Sequence, residues 1–323
     1  MAFMNTIEQA GLMIVHTART LQARWGARAS QVLRWSVPVV LLTFLGYRLS
    51  QIGWLQIWHS RPASPLFYLV LPFVFFAQPF ADLIIYRNLW NVGKEVGLPV
   101  MLRKRYLDNV MLDYSGEAYF YFWAVRKLDL QKKVLLHAIK DSNVLSAGAG
   151  FAMLWLMLVT LLAVGAVHLP AFLSHQFWTT LSLASVPLLL CLVLVAGGRR
   201  VTTLTSSQIA STFAIHMVRS AAGLALQFAL WWFSASLPSA VTCLQFVALQ
   251  LVITRLPVLP NKDLIFVGTG IAMASMLNLS TPSIAAVLVI GTAADQLLGF
   301  ALVGLPWLFE QFVFKRKDAR PAT

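Results

Sequence analysis

The chain has 323 residues, of which 59% are apolar and only 11% charged, with 25 Lys+Arg against 12 Asp+Glu and a net charge of +13. Soluble domains carry roughly 25% charged residues, so this composition excludes a soluble enzyme, a disordered tail protein and a disulfide-stapled secreted domain. It points instead to an all-α, polytopic membrane protein whose basic residues hold cytoplasmic loops and meet anionic lipid.

The N-terminal stretch places Phe3, Ile7, Ile14 and Leu21 at helical spacing, followed by Arg19, Arg24, Arg28 and Arg34. Residues 1–35 therefore read as an amphipathic interfacial helix. A single transmembrane domain is expected over 36–308, in which two loosely related halves, 36–196 and 197–308, can be drawn. A basic cytoplasmic tail follows at 309–323. A membrane-crossing helix needs roughly 20 mostly apolar residues. About eight stretches qualify: 36–57, 66–86, 144–167, 178–196, 218–236, 239–255, 263–278 and 283–308.

Between the second and third of these lies a long charged segment, 87–141. Its aromatic portion 106–124 reads as a re-entrant or deeply interfacial hairpin broken at Ser115-Gly116, with an amphipathic helix over 129–141 beyond it. A surface-lying helix is expected at 201–217. Pro257 and Pro260 forbid a continuous helix between the sixth and seventh stretches. The chain there either turns at the surface or forms a second re-entrant element. With the N-terminus inside, 22 of the 25 basic residues fall on inner segments. This asymmetry supports an even number of crossings and places both termini in the cytoplasm.

Few motifs carry chemistry. No Walker A lysine loop, zinc spacing or Gly-x-Ser-x-Gly elbow occurs, and Cys191 and Cys243 sit in apolar runs as small fillers. No cofactor, metal or nucleic-acid partner is called for, and the chain is not expected to be an enzyme. Gly148-Ala-Gly150 and Gly268-Thr-Gly270 read as close helix contacts. Charges inside spans are costly and tend to line paths or pair. Asp295 lies deep in the last span, where a short side chain cannot reach water, and Arg48 lies near the middle of the first. Asp82, Arg219, Arg255 and Asp263 sit nearer the inner ends, where they are expected to reach water. Glu117, with Asn109 two turns earlier on nearly the same face, reads as a polar head-group site, and Arg103, Lys104 and Arg105 offer a phosphate contact at the surface.

The run Asn109-x4-Tyr114-x-Gly116-Glu117 resembles the first hairpin of the lysylphosphatidylglycerol synthase transmembrane-region family, the flippase part of multiple peptide resistance proteins. The run from Pro257 through Pro260, Asn261, Lys262 and Asp263 resembles its second, proline-marked hairpin. Tyr114 stands where that family has Pro, the Gly-Gly and following Glu of its second hairpin are missing, and transfer of lysine to a lipid by an aminoacyl-transferase domain is not expected. The resemblance implies a domain that binds or moves a lipid or lipid-linked head group. Asn109, Gly116, Glu117, Pro257 and Pro260 carry it, with Asp263 by rough position. The expected function is translocation of a lipid or lipid-linked glycan head group without ATP hydrolysis. Arg48, Arg219 or Arg255 would hold a phosphate, while Glu117, Asp263 and Asp295 would meet amine, hydroxyl or proton. The expected partners are membrane lipids with anionic or lipid-linked head groups, and envelope-biosynthesis enzymes. The alternatives are a non-catalytic membrane partner in envelope biosynthesis and a membrane-embedded transferase.

Overall fold

The computed structural model describes residues 43, 45–47, 49–110, 114–165, 189, 193, 202–255 and 262–306. The chain divides into two compact units, 1–51 and 52–323. In the first, the described residues are helical. The expected helix over 1–35, Arg48, most of the 178–196 stretch, Pro257, Pro260, Asn261 and the tail at 309–323 lie outside the described residues.

The second unit is all-helical among its described residues. In chain order they form α1 (Trp54–His59), α2 (Pro65–Trp90), α3 (Leu98–Val110), α4 (Ser115–Lys127), α5 (Lys132–Ala163), α6 (Ser206–Ser234), α7 (Ala240–Arg255), α8 (Lys262–Met276) and α9 (Thr281–Gly299). A π-helical turn at Phe300–Gly304 extends α9. Four of these helices, α2, α5, α6 and α9 with its π turn, are long and apolar enough to cross a membrane, and α7 is a shorter apolar helix.

Two expected boundaries are not there. The amphipathic helix at 129–141 and the span at 144–167 are one continuous helix, α5. The polar triplet Asp141-Ser142-Asn143 does not end it, because its first two members find partners on other segments. Asp141, fully buried, accepts a hydrogen bond from the Thr202 hydroxyl, and Ser142 lies 3.2 Å from His216 Nε2. The surface helix at 201–217 likewise continues into the span at 218–236 as α6. Its Thr212 and His216 face neighbouring helices and are buried. The start of α6 is fixed by a capping box, in which the Thr205 hydroxyl accepts from Gln208 N and the Gln208 side chain accepts from Thr205 N.

The 106–124 hairpin is present as α3 and α4. Ser115 and Gly116 open α4 rather than interrupt it, and Tyr114 before them adopts the left-handed conformation at φ 71°. An aromatic stack pins the hairpin to α2: Phe120 is fully buried against both Tyr86 and Trp90, with ring centroids 4.6 and 5.1 Å away. Helices α3 and α4 cross at Gly116, whose N–H donates to Asp108 Oδ1 at 2.7 Å. A methyl group at 116 would stand 2.0 Å from the Lys104 carbonyl oxygen. Backbone cannot rotate away as a side chain can, so Gly116→Ala should cost about 3 kcal/mol or more. Thermal unfolding in detergent checks this, and an unchanged melting temperature would contradict so close a crossing.

Candidate functional site

The candidate site grows from two adjacent residues on α3. Successive residues of a helix point roughly 100° apart, so Lys104 and Arg105 enter different surroundings. Both were expected at a basic surface. Lys104 is instead 3% exposed, and Arg105 is largely covered.

Lys104 reaches a buried ionic cluster. Its ammonium lies 2.9 Å from Asp82 of α2 and 3.1 Å from Glu117 of α4. Asp82 also lies 3.6 Å from Arg219 of α6, and Arg219 donates to the Ser146 hydroxyl of α5 at 2.8 Å. Asp82 and Arg219 therefore do not reach for water as expected from their positions near span ends; they answer one another inside the helix packing. Glu117 and Asn109 do not share a face either. The helix breaks between them, which sends Glu117 to Lys104 and Asn109 elsewhere.

Burial alone would lower the Lys104 pKa, but the surrounding carboxylates of Asp82 and Glu117 outweigh it and hold the ammonium charged well above its ordinary range. Asp108, beside Glu117, is pushed up to about 8, first by burial and then by the Glu117 charge.

Arg105 organises a second centre. Its guanidinium lies 2.5 Å from Asp295 of α9, and Asn109 Nδ2 donates to the other Asp295 oxygen at 2.9 Å. Arg105 also donates to the Phe75 carbonyl at 2.5 Å and sits over the Phe75 ring, 4.6 Å from its centroid. The carbonyl is free because Pro79, four residues on, has no N–H to give it. Inside an apolar helix packing such an oxygen needs another donor, and Arg105 supplies it. The deep acid foreseen in the last span thus has its partner.

A cavity of about 170 Å³ opens beside this ion pair. At roughly 30 Å³ per water in the liquid, that is the space of five or six waters. Arg105, Asp263 and Asp295 supply its charged lining, and Asn109, Gln227 and Gln250 its amides. Phe67, Trp231 and Phe266 wall it. Six helices, α2, α3, α6, α7, α8 and α9, contribute. Asp263 is exposed, and no hydrogen bond or ion pair holds it among the described residues. Gln250 Oε1 is buried without a hydrogen-bond partner.

Of the expected site residues, the structure gathers Asn109, Asp263 and Asp295 around the cavity. Glu117 and Arg219 belong to the ionic cluster instead. Arg255 lies against Gly150 of α5, so that glycine is a close helix contact, as expected. Gly270 likewise abuts Leu288, but Gly268 is not the close contact expected, since a methyl group there would meet nothing within 4 Å. Gln227 and Gln250 were not foreseen. Their signal was available as single amides in the apolar runs Ala-Leu-Gln-Phe-Ala and Ala-Leu-Gln-Leu-Val. No protein-family model, curated protein sequence or solved structure matches the chain.

Two outcomes follow from the ionic cluster. Lys104→Met strands the Glu117 carboxylate and leaves Asp82 only Arg219, 3.6 Å away, and should destabilise the protein by about 3–5 kcal/mol, read as a fall in the unfolding midpoint. The raised Asp108 pKa means that the folded chain binds a proton the unfolded chain releases above its ordinary 3.8. The contribution of Asp108 to stability should therefore be fullest in acid, decline as pH rises toward about 8, and level off beyond it. In Asp108→Asn this part of the pH dependence should vanish, as measured by hydrogen exchange of the α3–α4 hairpin.

Proposed function

We propose that this chain binds a lipid or lipid-linked glycan head group and moves it across a bacterial inner membrane, without hydrolysing ATP itself. The observation that supports this reading is the cavity among apolar helices, lined by carboxylates, amides and aromatic rings together. Ligand sites are concave, mostly apolar and marked by a few convergent polar groups. A polar hollow among membrane-crossing helices suits a head group whose acyl chains remain in lipid. The full layout in this reading has about eight spans, both termini cytoplasmic, and the α3–α4 hairpin and the Arg255–Lys262 connection as re-entrant elements. The resemblance of residues 109–117 and 257–263 to the lysylphosphatidylglycerol synthase transmembrane-region family leads the same way.

Within the cavity the roles divide by what each group already holds. Arg105 and Asp295 largely satisfy one another and shape the wall. Asp263 and Gln250 Oε1 keep unspent acceptor capacity for hydroxyl or ammonium hydrogens. An anionic head group moving outward also gains about 2.3 kcal/mol per 100 mV of inside-negative potential, which could help to drive it.

A second reading, a non-catalytic membrane partner in envelope biosynthesis, draws on the Asp82–Lys104–Glu117 cluster, whose charges answer one another inside the helix packing as in a structural element. A membrane-embedded transferase would need a base beside a bound acceptor and a donor site.

The test fills the hollow without disturbing its walls. A side chain at Gly291 meets nothing within 4 Å of its first carbon, and Gly291 lines the cavity. In vesicles holding the purified protein, a tail-labelled phosphatidylglycerol should change leaflets faster than in empty vesicles. Gly291→Phe should slow this by about tenfold or more, a barrier increase of about 1.4 kcal/mol, at unchanged melting temperature. Asp263→Asn should slow it in the same way. Equal rates with and without protein would end the transport reading in favour of the partner role.

A further inference from the structure

Arg255 closes α7 with its guanidinium laid on α5. A methyl group at Gly150 would stand 2.1 Å from Arg255 Cζ, so the absence of a side chain there makes the notch that the guanidinium occupies. One turn earlier on α5, Ser146 takes the hydrogen bond from Arg219. Two guanidinium groups therefore sit along one face of α5, at contact points roughly 6 Å apart along its axis, near enough to act on one another.

Their charges are answered unequally. Lys104 and Arg219 stand against Asp82 and Glu117, two cations for two anions. Among the described residues no carboxylate lies within ion-pair distance of Arg255, and its Nε is buried without a hydrogen-bond partner. A guanidinium does not shed its proton in a protein. Burying a charge costs several kcal/mol unless a counter-charge meets it. The planar fork of arginine matches the oxygens of a phosphate, which it can hold with two parallel hydrogen bonds.

We propose that Arg255, with Arg219 beside it, forms a phosphate-binding site on the Ser146–Gly150 face of α5, separate from the cavity at Asp295. Arg255 donates to the phosphate, and Arg219 adds its second charge while remaining tied to Ser146. The notch at Gly150 keeps the Arg255 plane fixed. The transport reading is what makes a lipid the natural source of that phosphate, and free phosphate is the other source of the same chemistry.

The experiment titrates the full chain, purified in a neutral detergent, with inorganic phosphate, with short-chain phosphatidylglycerol and with the matching diacylglycerol, following the unfolding midpoint. A phosphate compound should raise the midpoint and diacylglycerol should not. A response to phosphatidylglycerol alone assigns a lipid source, and an equal response to inorganic phosphate assigns the free ion. Arg255→Gln should weaken the response about tenfold or more. Arg255→Lys, which keeps the charge and loses the fork, should fall between Arg255→Gln and the parent chain, and Arg61→Gln should match the parent. Without phosphate, Arg255→Gln should melt no lower than the parent, since it removes an unanswered charge. An insensitive parent chain, an unaltered response in Arg255→Gln, or a lower melting temperature for it without phosphate would overturn the site. Phosphate insensitivity with intact lipid movement would remove this site and leave the transport reading in place; a phosphate response without lipid movement would do the reverse.

Discussion

The structure depends on a single ammonium group placed where water does not reach. Lys104 joins Asp82 and Glu117, and in doing so ties α3 to α2 and to α4. A buried charge is tolerated only when it is matched in charge and geometry, and here the matching carboxylates come from two other helices. The aromatic stack of Tyr86, Trp90 and Phe120 belongs to an apolar core shared by α2, α3 and α4 and supplies the apolar burial that charges cannot. The ionic contacts set where α3 lies, and the rings hold it there.

With α3 fixed, the next residue along it fixes the second centre. Arg105 links the Phe75 carbonyl of α2 to Asp295 of α9, and the cavity lies beside that link. One short helix thus positions both the closed ionic cluster and the open hollow. The two differ in what they leave unspent. The cluster uses most of its hydrogen-bonding capacity internally, whereas the cavity retains Asp263 and Gln250.

Much of the architecture can be read from apolar run length alone. The runs beginning near residues 66, 239, 263 and 283 become α2, α7, α8 and α9 with starts close to those expected. The demand that Asp295 face a partner or a cavity also follows from the short reach of an aspartate, and the structure gives it both. What the chain order hides is pairing across distance. Nothing local tells that Arg105 answers an acid 190 positions later, or that Lys104, in the middle of Arg103-Lys104-Arg105, turns inward. Three successive basic residues look like a solvated patch, yet a helix points them in three directions. Polar residues such as Asp141, Ser142 and His216 resemble helix ends for a related reason: their partners lie on segments far away in sequence.

Pro79 has a mechanical consequence. A proline can never restore the hydrogen bond it omits, so the Phe75 oxygen requires an outside donor in every conformation the chain visits. Pulling Arg105 away in a dry setting would expose a carbonyl, a guanidinium and the Asp295 carboxylate together. Helices α2, α3 and α9 are therefore riveted into one moving part. The seam that this part shares with α6 is tied as well, by Asp82 to Arg219 and by Asn88 to Ser211, so any rocking of the part carries α6 along with it.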